Sequence, residues 1–404
     1  MAPFFKLINT VKHYGWGSPR WIPRLTRRDN PGEEPWAELW MGVHPEGPSE
    51  LMDRGERISL PRLISRDPGG FLGTAVNREF GTLPFLFKVL AAAKPLSIQA
   101  HPNMEQARRG WDRENRRGIP PDGPDRNYRD PSHKPEILCA LGPFKALCGF
   151  RPPGEIRGGL AALAAAVPGD RRVLDRLDSA LEGPSVEGGL EAFLRSLLGL
   201  SGEARRELRR VLPRGAALGE TRPEWGEAGN MTAYFAELYP GDPAALAPFY
   251  LNIISLVPGE AIYIPAGVLH AYVHGLGVEL MANSDNVLRG GLTTKHMDVE
   301  ELAGILKFSP FNPEVLQVPR GNPRVFRYHT GCREFSLAFM PGQGDEEVFP
   351  GTGPAILLVT GGTAVLRGGK GETLTLEQGE SAFIPAGGEI TLSGTYTLYA
   401  AETP

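Results

Sequence analysis

Apolar positions come in short alternating or continuous blocks over most of the chain, and the blocks end at glycine or proline. LPFLFKVL (83–90) and LSIQA (96–100) are blocks of this kind within residues 1 to about 150 and predict strands. The period changes between 154 and about 240. There Leu190, Phe193, Leu194, Leu197 and Leu198 recur at three- and four-residue spacing, which puts them on one face of a helix. Leu208, Val211 and Leu212 continue the pattern until Pro213, which predicts its end. After Asp242 the strand pattern returns. APFYLNIISLVPGEAIYIPAGVLHAYV predicts β-structure between glycines and prolines, DVEELAGILK (298–307) predicts one more helix, and 315–404 again shows short strands.

An internal repeat adds organisation to this mainly β pattern. GEAIYIPAGVLH (259–270) aligns without gaps on GESAFIPAGGEI (379–390), with six of twelve positions identical. The first copy ends in His270 and the second in Ile390. The repeat predicts two related β-barrels, only the first of which can offer a metal ligand at that position. Residues 1–153 and 241–314 would form one barrel, 154–240 an inserted helical domain, and 315–404 a second barrel without metal.

Composition narrows the function classes. A chain of 404 residues with 41% apolar and 22% charged residues fits two or three globular domains. Its 51 glycines and 38 prolines are scattered, as many turns require. The net charge of −4, with Lys and Arg spread along the chain, argues against a nucleic-acid partner. No run approaches the roughly 18 apolar residues of a membrane span, and the first residues, MAPFFKLINTVKHYGWG, lack the pattern of a signal peptide. Cys139, Cys148 and Cys332 form no CxxC pair, so reduced thiols in the cytoplasm are expected. The sequon at Asn230 would then be accidental.

Gly259-x5-Pro265-x-Gly267-x2-His270 resembles the second motif of the cupin family, which implies a double-stranded β-helix barrel with a metal inside; His274 stands where that motif usually has Asn. Gln99 and His101 share a strand face, and so do Lys134 and Glu136 in HKPE (133–136). Gln99, His101, Glu136 and His270 together offer two nitrogens and two oxygens, a mixture that suits zinc with a position open to substrate.

Six stretches resemble the type I mannose-6-phosphate isomerases, in the family's order from about residue 10 to 310: WAELWMGVHPEGPS (36–49), LPFLFKVL, LSIQAHPN (96–103), HKPE, YIPAGVLHAY (263–272) and ELMANSDNVLRGGLTTKHMDV (279–299). In that family the positions matching Gln99, His101, Glu136 and His270 bind zinc, and a helical domain is inserted between the cupin halves. The resemblance implies one zinc per chain, a small sugar-phosphate substrate, and aldose–ketose isomerisation of mannose 6-phosphate and fructose 6-phosphate through an enediolate. A monomer without membrane or nucleic-acid partner is expected.

Such chemistry needs positive charge near the developing oxyanion, a proton shuttle and partners for a phosphate dianion. Lys134, Glu279, Asp285 and Arg289 are the candidates for the chemistry. Asp285, Val287 and Arg289 share parity, and Gly290-Gly291 lets backbone approach a ligand. Ser97, Lys88, Lys295 and Trp16 are the candidates for substrate or phosphate contact. The base stays open among Glu279, Asp285, Lys134 and His133, although parity points His133 away from Glu136. Trp36 and Trp40 are expected to pack, His44 to support a turn, and ARRELRR (204–210) to be a solvated helix face, whereas His296 and His329 have no evident partner. The alternatives are a cupin iron oxygenase and a non-catalytic sugar-phosphate-binding cupin. The first is disfavoured because the glutamate lies 35 residues after His101 rather than in a compact HxHx3–4E motif. The second has no need of a metal together with a proton shuttle.

Overall fold

The computed structural model describes residues 2–167, 169–319, 324–349 and 351–404. Residues 320–323 and 350 of the predicted second barrel lie outside them. The chain is mainly β with several helices: an eleven-stranded and a nine-stranded sheet, both antiparallel, and the small hairpin Glu50–Asp53/Glu56–Ser59.

The first sheet is organised by His270–Ala282, a strand buried along nearly its whole length. It pairs with Phe85–Ala92 and Glu136–Ala140 over its second half. At its start it pairs with Ile98–Ala100 and Phe144–Phe150. The ladder to Phe144–Phe150 is irregular between Tyr272 and His274, and Gly275 follows at φ 141. A Cβ at Gly275 would come within 2.5 Å of the Phe144 ring, so only glycine permits this bend.

The second sheet is built on Ala355–Gly368 and Thr395–Glu402. The repeat is a shared turn–strand–turn unit. Gly259 and Gly379 take φ 87 and 84, and Gly267 and Gly387 take φ 81 and 68. Between them run Ala261–Ile264 and Ser381–Ile384. His270 and Ile390 each begin the next strand. The N-terminal strand Phe5–Lys6 crosses to the second sheet, with Phe5 opposite Phe383, a pairing that the sequence division at 315 does not anticipate. One apolar cluster holds Val278 and Leu280 of the first sheet with Ile356, Phe383 and Tyr399 of the second.

Helices occupy the stretch after Phe150, with Val186–Leu198 burying Leu190, Phe193, Leu194 and Leu197 as the periodicity predicts. The pattern does not run on unbroken to Pro213. Gly199 ends that helix, a new one spans Gly202–Val211, and Pro213 sits inside the 3-10 turn Leu212–Ala217, where its missing N–H costs nothing. APFY is likewise a single helical turn, Ala247–Tyr250, and the strand begins only at Leu251. The helix expected over 298–307 is Val299–Ile305, capped by the Asp298 side chain. In ARRELRR the arginines are exposed, but Glu207 is buried and accepts from the Val173 N–H at 3.2 Å.

The loop between helix Met104–Arg116 and strand Glu136–Ala140 is held from inside by a buried ion pair. Glu114 meets Arg126 at 3.0 Å, with 3% and 0% of their side chains exposed. Glu114 also accepts from the backbone N–H groups of Asn127 and Tyr128, and Arg126 donates to the carbonyls of Ile119 and Tyr128. Glu114→Ala should therefore destabilise the fold by about 3–5 kcal/mol, because an uncompensated guanidinium stays buried. Urea unfolding of the two proteins measures the difference, and a loss under about 1 kcal/mol would contradict this account of the loop.

Candidate metal centre

His101, just after strand Ile98–Ala100, Glu136, the first residue of its strand, and His270, the first of the next, are brought together in the first sheet. All three are buried, and one ligand atom from each lies within 4.8 Å of the others. His101 Nδ1 faces the Asn286 carbonyl at 2.6 Å, and His270 Nδ1 faces the Val268 carbonyl at 3.0 Å. A carbonyl can only accept, so each Nδ1 carries the proton and each neutral Nε2 presents a lone pair. These two Nε2 atoms are buried without a hydrogen-bond partner among the described residues. Each lies beside a Glu136 oxygen instead, at 3.3 and 3.4 Å.

Electrostatics keep these groups in ligand form. Burial pushes the His101 imidazole down to about 4. Burial pushes the Glu136 carboxyl up, but Lys134, 3.2 Å from Oε1, and His101 outweigh it and hold it well below the usual range. Two bare nitrogens facing a carboxylate in a water-excluded site would be costly by themselves and are satisfied by a divalent cation. Gln99, the cross-strand partner of His270, lines the same cavity and can add an amide oxygen. The donor mixture suits zinc.

The cluster opens on a cavity of about 920 Å³. Its walls include Trp16, Lys88, Ser97, Gln99, Lys134 and Glu136, and from the later chain Glu279, Asp285, Arg289 and Lys295. Asp285, Val287 and Arg289 face it while Ser284, Asn286 and Leu288 are buried behind, the alternation their parity predicts. Lys88 bridges Glu279 at 3.1 Å and Glu38 at 3.6 Å. Burial works against its charge, yet the two carboxylates raise its pKa above the usual lysine range. Burial raises the Glu279 carboxyl. His44 Nδ1 accepts from the Glu46 N–H, as a turn support would, and its Nε2 also meets Asp285 at 3.2 Å. Burial pushes the Asp285 carboxyl up, but the His44 contact, with the nearby lysines, outweighs it and holds its pKa below the ordinary value.

His133 is outside the lining and is bound at 2.6 Å to Glu334. Trp36 is buried in the core, Trp40 lies beneath Lys88, and His329 is exposed. Sequence reading missed Tyr14, Glu38, Arg129, Tyr272 and Asn286. It also left His296 without a partner, although His296 meets Asp125 at 3.5 Å on the cavity wall. Tyr272 could have been found by its same-face spacing from His270. Asn286 could not, because it orients His101 through a backbone carbonyl.

A buried His–Glu–His cluster in an antiparallel sheet, at one end of a cavity carrying both acidic and cationic side chains, defines a metal-dependent enzyme for a small polar ligand. Comparison with known proteins makes the assignment specific. Residues 4–153 match the family described as phosphomannose isomerase type I, catalytic domain. The mannose-6-phosphate isomerase of Escherichia coli is 40% identical over 94% of this chain and 94% of its own, and that of Homo sapiens is 33% identical over 97% and 95%. A zinc-bound crystal structure of mannose 6-phosphate isomerase superposes with a TM-score of 0.90 at 39% identity, covering 100% of both chains. The chain belongs to the type I mannose-6-phosphate isomerase family.

The Lys88 network generates a test independent of any assay. Lys88→Met would strand Glu38 and Glu279 as neighbouring buried carboxylates, and about 3 kcal/mol of stability should be lost. Lys88→Met with Glu279→Met should recover part of that loss; strictly additive losses in the double-mutant cycle would show that the ion pair is not coupled.

Proposed function

We propose that the protein interconverts mannose 6-phosphate and fructose 6-phosphate, with one zinc ion per chain held by Gln99, His101, Glu136 and His270. The observation that carries this reading is the pair of Nε2 atoms, without a hydrogen-bond partner among the described residues, that converge on Glu136 beside a cavity that also presents Arg289 and Lys295. Aldose–ketose isomerisation moves a proton between C2 and C1 with no net oxidation, so the site must hold the sugar, shuttle the proton and shield an enediolate. The ion, when bound, supplies positive charge for oxygens that become negative in the transition state. Arg289 holds sugar or phosphate oxygens with its two-pronged guanidinium. Lys134, Glu279 and Asp285, all on the cavity wall, are the groups able to carry the proton. Lys88 fixes Glu279, Trp16 walls the sugar, and Ser97 and Lys295 are partners for the phosphate.

This reading takes the two sheets as cupin-type barrels. Residues 1–153 and 241–314 make the catalytic barrel, 154–240 an inserted helical domain and 315–404 a metal-free second barrel. The internal repeat and its matched glycines support it. It further takes the enzyme as a cytoplasmic monomer with no nucleic-acid or membrane partner; no helix among the described residues is long and apolar enough to cross a membrane.

A coupled assay with mannose 6-phosphate, with and without chelator, tests the activity. Elemental analysis should give one zinc per chain and His270→Ala should lose it; stoichiometric iron would overturn the assignment. Arg289→Ala should keep its zinc but turn over at least about tenfold more slowly, roughly 1.4 kcal/mol of transition-state stabilisation. Wild-type kinetics in that variant would remove Arg289 from the site's machinery.

A further inference from the structure

We propose that Arg129 is a third phosphate-gripping cation of the cavity, a substrate-positioning residue that selects doubly charged phosphate esters. The proposal rests on the isomerase reading above and adds to it a residue outside every motif that carried the resemblance.

The cavity is electrostatically divided. Most of its carboxylates are committed elsewhere, Glu38 and Glu279 to Lys88, Glu136 to Lys134, Asp285 to His44 and Asp125 to His296, while Glu46 also lines the wall and acts weakly on Lys295. Arg129, Arg289 and Lys295 line the same cavity, and among the described residues none of the three forms an ion pair. They feel one another. After burial, Arg129 is the next cause depressing Arg289, and Arg289 and Arg129 are the next depressing Lys295, with Glu38 and Glu46 acting more weakly in the other direction. Three like charges drawn together with no ion-paired carboxylate among the described residues are stabilised by an anion between them, and a phosphate dianion has the charge and the acceptor oxygens to serve all three.

Arg129 is not a loose surface arginine that drifts near the others. Its backbone N–H donates to Asn286 Oδ1 at 2.7 Å, and that of Asp130 donates to the same oxygen at 3.3 Å. The Asp130 carboxylate in turn accepts from the Ser284 hydroxyl and the Asp285 N–H. The loop bearing Arg129 is thereby fixed to the segment that leads into Arg289. The same Asn286 orients His101 through its carbonyl, so the phosphate grip and the metal end are set from one residue. The side chain itself stays exposed at the rim, free to close on an arriving ligand.

The test uses the zinc-loaded enzyme, its Arg129→Ala variant and its Arg129→Lys variant, with metal content and thermal midpoint recorded for each. Arg129→Ala should raise KM for mannose 6-phosphate, and the inhibition constant of inorganic phosphate, by about tenfold. Its kcat should change by less than about twofold, and its KM should depend less steeply on salt. Arg129→Lys should recover part of both. Unchanged KM and phosphate inhibition, or a loss confined to kcat, would overturn the proposal. Should wild type fail to turn over mannose 6-phosphate, the isomerase reading fails; calorimetric titration of both proteins with inorganic phosphate still decides this one, since equal affinities would sink it.

Discussion

The register of one strand, His270–Ala282, is the constraint on which the rest of the molecule depends. At its first residue it sets His270 opposite Gln99, and near its end it sets Glu279 opposite Lys88 and Met281 opposite Glu136. One strand therefore aligns a metal ligand, two further donors from neighbouring strands, and the buried ion pair that lines the cavity. A slip of one residue would turn His270 and Glu279 to the opposite face, away from Gln99 and Lys88. Pairing with four other strands makes such a slip prohibitively costly, and the irregularity at Tyr272–His274 with the bend at Gly275 locks the alignment further.

Burying so many ionisable groups needs compensation, and the arrangement provides it in layers. Glu38, Glu136 and Glu279 face two ammonium groups, those of Lys88 and Lys134. The protein by itself thus leaves an excess of carboxylate around two bare imidazole nitrogens, which a divalent cation corrects. Away from this end the same wall carries Arg289 and Lys295, which form no ion pair among the described residues. A ligand with a neutral hydroxylated part and an anionic end fits that gradient in one orientation only.

The second sheet supports the first without entering the cavity. Glu334 binds His133, the neighbour of Lys134, and Arg333 pairs with Glu79 at 2.5 Å. Tyr328 donates to the Gly259 carbonyl and receives the Cys139 thiol at 3.3 Å. His133 is thereby occupied as an anchor for the HKPE segment. This separates it from the groups that face the ligand, a distinction strand parity alone suggested only by direction.

Much of this was legible in the chain because the relevant rules are local. Alternation and helical period located the main strands and the face of Val186–Leu198, and the repeat located two equivalent turns through the glycines that positive φ demands. Same-face spacing grouped Gln99 with His101 and Asp285 with Arg289, since a strand alternates sides every residue. Where the chain departs from regular geometry, the same rules failed. The breaks at Gly199, a helix C-cap, and at Ala247–Tyr250, with proline in its first turn, are local interruptions that apolar period does not register. Tyr272 and Glu279 differ in parity yet both line the cavity, because the bend between them reverses the strand's faces. Asn286, Arg129 and Glu114 act through backbone groups or across long sequence separations that no motif records. Which side chains could bind a metal or a phosphate was written in the sequence as residue type and spacing. Which of them meet was decided only by the tertiary structure, because the cost of burying charge is relieved by neighbours in space rather than along the chain.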